Sequence, residues 1–357
     1  MKKSLLIFTI IASIAACKKT PVLPTPPVLT GTNVYVAGYE NKVARYWKNE
    51  TAVILSNPTV NTAVFSIVVV GKDVYTGGYE INGVGKVALY WKNGIRTPLT
   101  AEINTTIDCQ INAMAVSGSD VYAAGFEGKI ARYWKNGVAV SLTGTSANGR
   151  NAGINGIVVI GNDVYAAGFE NILRTVNGYT SVRLVAKYWK NGVDVELKGT
   201  EDLTTSNAFS IAVAGGDVYV VGYTNGGVNG GNYKKAKLWK NGIDVDITDG
   251  LKYNAVAHSI AVTGSDVYVA GIEDSHVSIA SVMVAKYWKN GVTVNLTDST
   301  KDAEAASIAV SGSDVFVAGY ELDNRNMEIA KYWKNGKAVI LTDGTKFSRA
   351  TAIAIGN

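Results

Sequence analysis

Short runs rich in Val, Ile, Tyr and Ala alternate along residues 33–357 with clusters of Gly, Asn, Asp and Ser. No segment keeps its apolar residues at a sustained helical spacing. Short apolar runs bounded by turn-forming residues are typical of β-strands. The pattern therefore predicts an all-β protein.

The runs belong to one repeated phrase, roughly "DVYVAGYE", a spacer, "VAKYWKNGVxVxLT", a spacer and "ASIAVSGS". Each copy contains four runs, and successive copies lie 43 to 55 residues apart. Its tryptophan accounts for every tryptophan in the chain: Trp47, Trp91, Trp134, Trp189, Trp239, Trp288 and Trp333. Four antiparallel strands repeated seven times at this period predict the blades of a β-propeller.

An Asn-Gly pair separates the third and fourth runs in six of the seven copies. The pair accepts the positive φ angles of a two-residue hairpin turn. The first copy has Asn49-Glu50 instead, so we expect its turn to be the least favourable.

The repeated phrase is split between the two ends of residues 33–357. The first copy begins at Asn33 without a first strand, and the final segment "TAIAIGN" is a first strand without the rest of its blade. We expect Thr351–Ile355 to provide the innermost strand of the blade formed by Asn33–Leu55, which closes a ring of seven and protects two sheet edges. An open solenoid is the competing architecture, but it requires capping units.

These repeats resemble those of kelch-like propellers and the short repeats with an aromatic-x-Asn-Gly turn in bacterial extracellular proteins. The resemblance covers residues 33–357 and implies the propeller architecture. The Gly-Gly pair that ends the second strand of a kelch repeat occurs here only at Gly77-Gly78.

The first residues have the pattern of an export signal. Lys2 and Lys3 precede an apolar run, Leu5–Ala16, that is too short to span a bilayer. The sequence Ile14-Ala15-Ala16-Cys17 that ends this region resembles the lipobox of bacterial lipoproteins. The resemblance implies that residues 1–16 are a signal peptide and that Cys17 becomes lipidated. An ordinary signal peptide with an incidental cysteine is the alternative.

Residues 17–32 contain four of the six prolines and are interpreted as an extended tether to the membrane. Lys18 follows the lipidated cysteine, and under the better-known sorting rule this favours the outer membrane, on either its periplasmic or its surface side. The formal net charge of +5 is small and spread along the repeats, so no nucleic-acid partner is expected. Cys109 is the only other thiol, and no internal disulfide is expected.

The connections between second and third strands vary most in length, and they share one face of the predicted propeller. The longest are residues 170–184, 224–235 and 273–283, and Asn177-Gly178 predicts a projecting hairpin in the first of them. Variable loops on a rigid scaffold commonly carry binding residues. We therefore expect this face to be the binding face and to be tallest over repeats four to six.

Two groups of residues are candidates for ligand binding on that face. The first group contains the aromatic residues outside the repeat pattern: Tyr179, Tyr233, Tyr253, Phe65, Phe209 and Phe347. The second is a ring at the entrance of the innermost strands, formed by Phe65, Asn112, Asn155, Phe209, His258, Ala306 and Thr351. Exposed aromatic rings with nearby amides suit sugar stacking or a protein contact. Simple packing of the loops is the alternative.

Repeated charged residues are interpreted as structural. A Glu follows the second strand in six copies, and an Arg or Lys recurs on the third strand, so cross-strand ion pairs are expected. A ring of carboxylates that binds a cation is the alternative. Leu89 replaces the basic residue in the second copy and leaves Glu80 without that partner. The repeated Trp and the Tyr that precedes it are expected to pack between blades.

Motifs for catalysis and cofactors are absent or weak. Two histidines, His258 and His276, without a cysteine cluster do not form a zinc signature. There is no Gly-x-Ser-x-Gly elbow, and the calcium-like "DVDITDG" has its glycine one position late. The sequence therefore predicts a membrane-anchored binding module, without catalytic residues or cofactors, that recognises a glycan or an envelope protein. A glycan lyase or hydrolase and a purely structural envelope protein are the alternatives.

Overall fold

The computed structural model describes most of the repeat region. The described residues are 32–83, 85–101, 107–144, 151–176, 178–199, 205–225, 233–248, 254–275 and 281–356. They belong to one compact unit, Thr32–Asn357. The proposed signal peptide, Cys17 and nearly all of the tether lie outside the described residues. Within the described part the chain forms strands and no helix, and so has no helix that could cross a membrane.

The strands form seven four-stranded antiparallel sheets, which are the blades of a propeller. In chain order, blade 1 contains β1 (Asn33–Glu40), β2 (Val43–Lys48), β3 (Thr51–Ile54) and, as its innermost strand, β28 (Ser348–Gly356). Blade 2 contains β4 (Thr62–Val70), β5 (Asp73–Asn82), β6 (Gly85–Lys92) and β7 (Ile95–Pro98). Blade 3 contains β8 (Cys109–Ser117), β9 (Asp120–Glu127), β10 (Ile130–Lys135) and β11 (Val138–Ser141). Blade 4 contains β12 (Ala152–Ile160), β13 (Asp163–Val176), β14 (Tyr179–Lys190) and β15 (Val193–Glu196).

The remaining blades follow the same order from the centre outwards. Blade 5 contains β16 (Thr205–Ala214), β17 (Asp217–Asn225), β18 (Lys234–Lys240) and β19 (Ile243–Asp246). Blade 6 contains β20 (Ala255–Thr263), β21 (Asp266–Asp274), β22 (Met283–Lys289) and β23 (Val292–Asn295). Blade 7 contains β24 (Ala303–Ser311), β25 (Asp314–Leu322), β26 (Glu328–Lys334) and β27 (Lys337–Ile340). The predicted fold class is confirmed.

The ring is closed by pairing of the last strand with the first. β28 runs antiparallel to β1, with Ile355 opposite Val34 and Ile353 opposite Val36. The predicted closure is therefore confirmed, and blade 1 contains strands from both ends of the repeat region.

The Asn-Gly turns have the predicted geometry. At Asn93-Gly94, for example, φ is 51° and 82°, as a type I′ turn requires. Asn49-Glu50 adopts the same form, and Glu50 has a φ of 72°. The first turn thus keeps the shape of the others, but with a non-glycine residue in the left-handed region.

The hydrophobic core consists of seven clusters, one at each interface between neighbouring blades. At the interface of blades 1 and 2, Trp91 packs with Tyr35, Ala37 and Ala44 of the preceding blade. All seven tryptophans are at most 2% exposed. Burial of one such side chain contributes about 4–6 kcal/mol from its apolar area. The expectation that the repeated Trp and Tyr pack between blades is confirmed.

The repeated glutamates form cross-strand ion pairs, as expected. Oε2 of Glu40 lies 2.8 Å from Nη2 of Arg45, and Oε2 of Glu321 lies 2.6 Å from Nζ of Lys331. Glu80, which lacks a basic partner on the third strand, pairs with Arg96 of the outermost strand instead, at 2.9 Å between Arg96 Nε and Glu80 Oε2. Its guanidinium pairs with the carboxylate because Leu89, on the intervening strand, offers no competing charge.

The short-turn face has a second repeated network, which the sequence analysis did not identify. In blade 2, Asn93 accepts a hydrogen bond from the backbone N–H of Val74 and donates one to Asp73. Lys92 pairs with Asp73 at 2.8 Å and lies over the ring of Tyr75. Hydrogen bonds from Lys92 and then Asn93 lower the pKa of Asp73. This network gives the repeated Asp, Tyr, Lys and Asn a common structural role.

The predicted hairpin in blade 4 is confirmed. β13 and β14 remain paired as far as Val176 and Tyr179, and Gly178 has a φ of 80°. Arg174 forms an ion pair with Glu196, which fastens the extended hairpin to the outermost strand of its own blade. The tips of the corresponding connections in blades 5 and 6, including His276, lie outside the described residues.

Candidate functional site

A β-bulge occurs at the same place in all seven innermost strands. In β4, Val64 pairs with Gly78 and Ser66 pairs with Gly77, so Phe65 is the extra residue. A bulge bends its strand and re-aims a side chain. The seven bulged residues are Phe65, Asn112, Asn155, Phe209, His258, Ala306 and Thr351.

The bulge explains the glycine in every second strand. A Cβ on Gly78 would lie 1.9 Å from the carbonyl oxygen of Ala63, which the bulge places against the second strand. The equivalent distance is 1.8 to 2.0 Å in every blade, at Gly38, Gly78, Gly125, Gly168, Gly222, Gly271 and Gly319. A single glycine per repeat is therefore sufficient, and Gly77 is an additional feature of blade 2.

The seven bulged residues converge on one cavity at the centre of the variable face, here called the funnel. Its volume is about 310 Å³, near the lower end of small-ligand pockets. Besides the bulged residues, its lining contains Tyr39, Glu304, Tyr320, Arg349 and Ala350. A narrower space of about 170 Å³ continues below it among the innermost strands. The ring deduced from the repeats is thus assembled in space.

Three polar bulged residues form hydrogen bonds to the innermost strand of the next blade. The Asn112 side-chain amide donates to the carbonyl of Ile154 at 2.8 Å, and the Asn155 amide donates to that of Ala208 at 2.8 Å. The Thr351 hydroxyl donates to the carbonyl of Val64 at 2.7 Å. These bonds fix the side chains before any ligand arrives, which lowers the ordering cost of binding.

The two phenylalanines of the funnel each pack against a tyrosine of the second strand of the same blade. The ring of Phe65 lies 5.9 Å from that of Tyr79, and the ring of Phe209 lies 5.8 Å from that of Tyr223. His258 packs edge-to-face on Phe209 at 5.6 Å. All of these side chains are partly accessible. The funnel therefore offers apolar ring faces beside hydrogen-bonding groups.

Charged side chains cluster on the side of the funnel formed by blades 6, 7 and 1. Arg349 forms an ion pair with the buried carboxylate of Glu328 and lies over the ring of Tyr320 at 4.4 Å. Its Nη1 is 3.9 Å from the carboxylate of Glu304. His258 Nδ1 lies 3.5 Å from Glu304 Oε1 and 3.2 Å from the carbonyl oxygen of Ala305. Because a carbonyl only accepts, Nδ1 of His258 carries a proton in this arrangement.

Two tyrosines at the funnel remain protonated at neutral pH. Burial, together with the negative charge of Glu304, raises the pKa of Tyr320 to about 12, although Arg349 opposes the shift. Burial also raises the pKa of Tyr39, again against the effect of Arg349. Both phenols are therefore available as neutral hydrogen-bonding groups.

A second cavity, here called the groove, lies beside the funnel between blades 1 and 2. Its volume is about 370 Å³. Its lining consists of Tyr39, Lys42, Asn61, Thr62, Ala63, Phe65, Tyr79, Ile81 and Phe347. Tyr39 and Phe65 belong to both linings, so the two cavities are adjacent.

The structure separates the candidate binding residues into three groups. Phe65, Asn112, Asn155, Phe209 and His258 line the funnel, and Phe347 lines the groove. Tyr233 is 48% exposed and lines neither cavity. Tyr179 is the first residue of β14, at the tip of the blade 4 hairpin. Tyr253 lies outside the described residues.

Several residues of the site were not among the sequence candidates. Tyr39 and Tyr320 occupy a repeated position that was not proposed for binding, yet both line the funnel. Arg349 and Glu304 each lie two residues before a bulged residue. Comparison of that position between repeats could have shown that it too varies from blade to blade, with Ala63, Gln110, Gly153, Asn207 and Val256 in the other copies. Among the described residues no group of three or more His, Cys, Asp or Glu side chains could hold a metal ion.

Comparison with known proteins gives no family for this chain. No family model matches it, and no curated protein matches it. Similar solved structures include a puromycin-hydrolysing peptidase of Mycobacterium tuberculosis (12% identity, 78% of this chain and 53% of that chain, TM-score 0.42). The computationally designed protein Ika8 is 15% identical, with 83% of this chain and 91% of that chain covered and a TM-score of 0.41. YjhT is 10% identical, with 77% of this chain and 96% of that chain covered and a TM-score of 0.39. This chain spans about half the length of the peptidase.

Proposed function

We propose that this chain is a non-catalytic binding module that takes a sugar ring of a glycan into the funnel. The supporting observation is the ring of seven bulged residues, which differ in chemistry from blade to blade although their backbone geometry repeats. Phe65 and Phe209 offer apolar faces for the ring, and the phenols of Tyr39 and Tyr320 offer hydrogen bonds to hydroxyls. A fixed scaffold suits recognition without a change of shape.

A glycan array followed by calorimetry on the purified full chain tests this proposal. Phe65→Ala should weaken binding by about tenfold, because it removes an aromatic face shared by both cavities. Tyr233→Ala is the matched control, since this exposed aromatic residue lies outside both cavities, and it should leave the affinity unchanged. Capture of an envelope protein instead of a glycan, with the same response to Phe65→Ala, would assign the face to a protein ligand.

A glycan-active enzyme is the second candidate. The observation that favours it is the cluster of unrepeated titratable residues at the funnel, in which Glu304 lies between His258 and Arg349. Product analysis after incubation with the bound glycan distinguishes the two functions. Turnover that Glu304→Gln abolishes would replace the binding proposal, whereas binding without products supports it. A chain that binds neither glycan nor protein would be a structural component.

We further propose that a lipid on Cys17 holds the propeller at the bacterial outer membrane, with residues 17–32 as the tether. The support is the lipobox-like sequence and the proline-rich segment that follows it. Several acyl chains would anchor the protein durably, at about 0.8 kcal/mol per buried methylene. Cells fed labelled palmitate should label the wild type but not Cys17→Ser, and protease shaving of intact cells should show which side of the membrane it occupies.

A further inference from the structure

The funnel and the groove are adjacent, so one ligand longer than a single sugar ring can be considered for both. Tyr39 and Phe65 line both cavities, and Phe347 lies in the groove lining but not in that of the funnel. Phe347 is 44% exposed, so part of its side chain is accessible to a ligand. A ring stacked on Phe347 could therefore belong to the same molecule as a ring held in the funnel.

The groove is bordered by two lysines whose charge is not neutralised. Lys42 lines it, and Lys86 lies over the ring of Tyr79 at 4.7 Å. Among the described residues, neither ammonium group has a carboxylate within ion-pair distance. The nearest repeated acids, Glu40 and Glu80, are already paired with Arg45 and Arg96. The carboxylate of Asp108 lies close enough for its negative charge to act on Tyr79. Two cations against this one carboxylate still favour negative charge on a ligand in the groove.

The funnel has a different charge balance. Arg349 is paired with Glu328, and the second carboxylate, Glu304, lies beside it. Arg349 therefore supplies one positive charge against the two carboxylates of Glu328 and Glu304. An anionic ligand group is consequently better accommodated over the groove than over the charged side of the funnel.

From this charge difference and the shared lining we infer that the ligand is an acidic oligosaccharide, rich in uronic acids. Its end ring occupies the funnel, and its following rings lie along the groove towards Phe347, with carboxylates near Lys42 and Lys86. This inference rests on the proposed function and specifies the chemical class and direction of the glycan. The backbone helps to place Lys42, because Asn41 and Lys42 form a tight turn with φ of 48° and 64°.

Calorimetric titration of the full chain with oligogalacturonides of one to four residues tests the inference. Neutral malto-oligosaccharides of the same lengths are the matched probes. We expect the affinity for the acidic series to rise by about tenfold or more between one and three residues, and then to level off as the groove is filled. Raising NaCl from about 20 to about 300 mM should weaken binding of the acidic trimer several-fold, since screening acts on exposed charges.

Two sets of variants locate the rings and the charges. Phe347→Ala should weaken binding of the trimer about tenfold and leave the single sugar unaffected. Lys42→Asn combined with Lys86→Gln should weaken the acidic trimer and remove most of its salt dependence. Asn is chosen because it tolerates the left-handed backbone of residue 42. Lys72→Gln, on the short-turn face of blade 2, removes the same charge away from the groove and should change nothing.

The outcomes separate this inference from the proposed function. Equal affinities for one and three residues, neutral trimers that bind as tightly as acidic ones, or a double lysine variant with wild-type affinity would each overturn the inference while leaving a sugar-binding funnel. Absence of binding by every sugar, acidic or neutral, would overturn the proposed function itself and the inference with it. Thermal melting of each variant, matched to the wild type, verifies that the fold is intact.

Discussion

Replacement of Gly78 by alanine tests the link between the bulges and the funnel. The new Cβ would start 1.9 Å from the carbonyl oxygen of Ala63, and so must separate from it by more than about 1 Å to reach an ordinary contact. Either the bulge at Phe65 is lost or the two strands move apart. Overpacking of this kind typically costs 1–3 kcal/mol, and we expect about 3 kcal/mol because the clash involves backbone on both sides.

Urea and thermal unfolding measure this cost. A loss of about 3 kcal/mol should lower the melting temperature by about 4 °C in a chain of this size. Gly144→Ala is the control, because Gly144 is not at positive φ and a Cβ there would meet nothing within 4 Å. Ligand affinity should also fall in Gly78→Ala, since loss of the bulge re-aims Phe65. A Gly78→Ala protein that melts within about 1 °C of the wild type would refute this explanation of the repeated glycine.

Three further predictions concern the ring, a turn and a tyrosine. Deletion of residues 348–357 removes β28 and exposes the inner edge of blade 1, so it should abolish cooperative melting or cause aggregation; an unchanged sharp melt would contradict closure. Glu50→Gly should stabilise the protein by about 1 kcal/mol in urea unfolding, because Glu50 has a φ of 72°, and Gly94→Glu should have the opposite effect. Because the pKa of Tyr320 rises from 10.0 to about 12 on folding, its contribution to stability should be complete below pH 10 and lost as the pH rises to about 12. Tyr320→Phe should flatten the curve of unfolding free energy against pH between pH 10 and 12, and a curve identical to that of the wild type would count against the shift.

The repeats themselves made the architecture predictable from sequence. Every tryptophan marks a third strand, and the Asn-Gly pairs mark the turns after those strands, so blades could be counted without knowledge of any contact. Superposition of the repeats also identified His258 and its equivalents as a ring. Strand and turn signals within one repeat were sufficient to predict the fold, because the same signals recur in every blade.

The bulge was not predictable in the same way. It is an extra residue relative to the partner strand, and an extra residue shared by all seven repeats leaves no gap when the repeats are compared. Tyr39 and Tyr320 were therefore not proposed as binding residues, although both line the funnel. The partner of Glu80 was missed because the repeated basic residue is on the third strand, whereas Arg96 is on the fourth.

The pairing of β28 with β1 in blade 1 sets an order of assembly for the candidate site. Thr351 hydrogen-bonds to the carbonyl of Ala37, which is 314 residues away in sequence, so this sheet forms only after the rest of the propeller has been synthesised. Such non-local pairing is slow to form. Tyr39 reaches the funnel from β1 and Arg349 from β28. A glycan that contacts both residues would stabilise the pairing of β1 with β28 and so slow the opening of the ring.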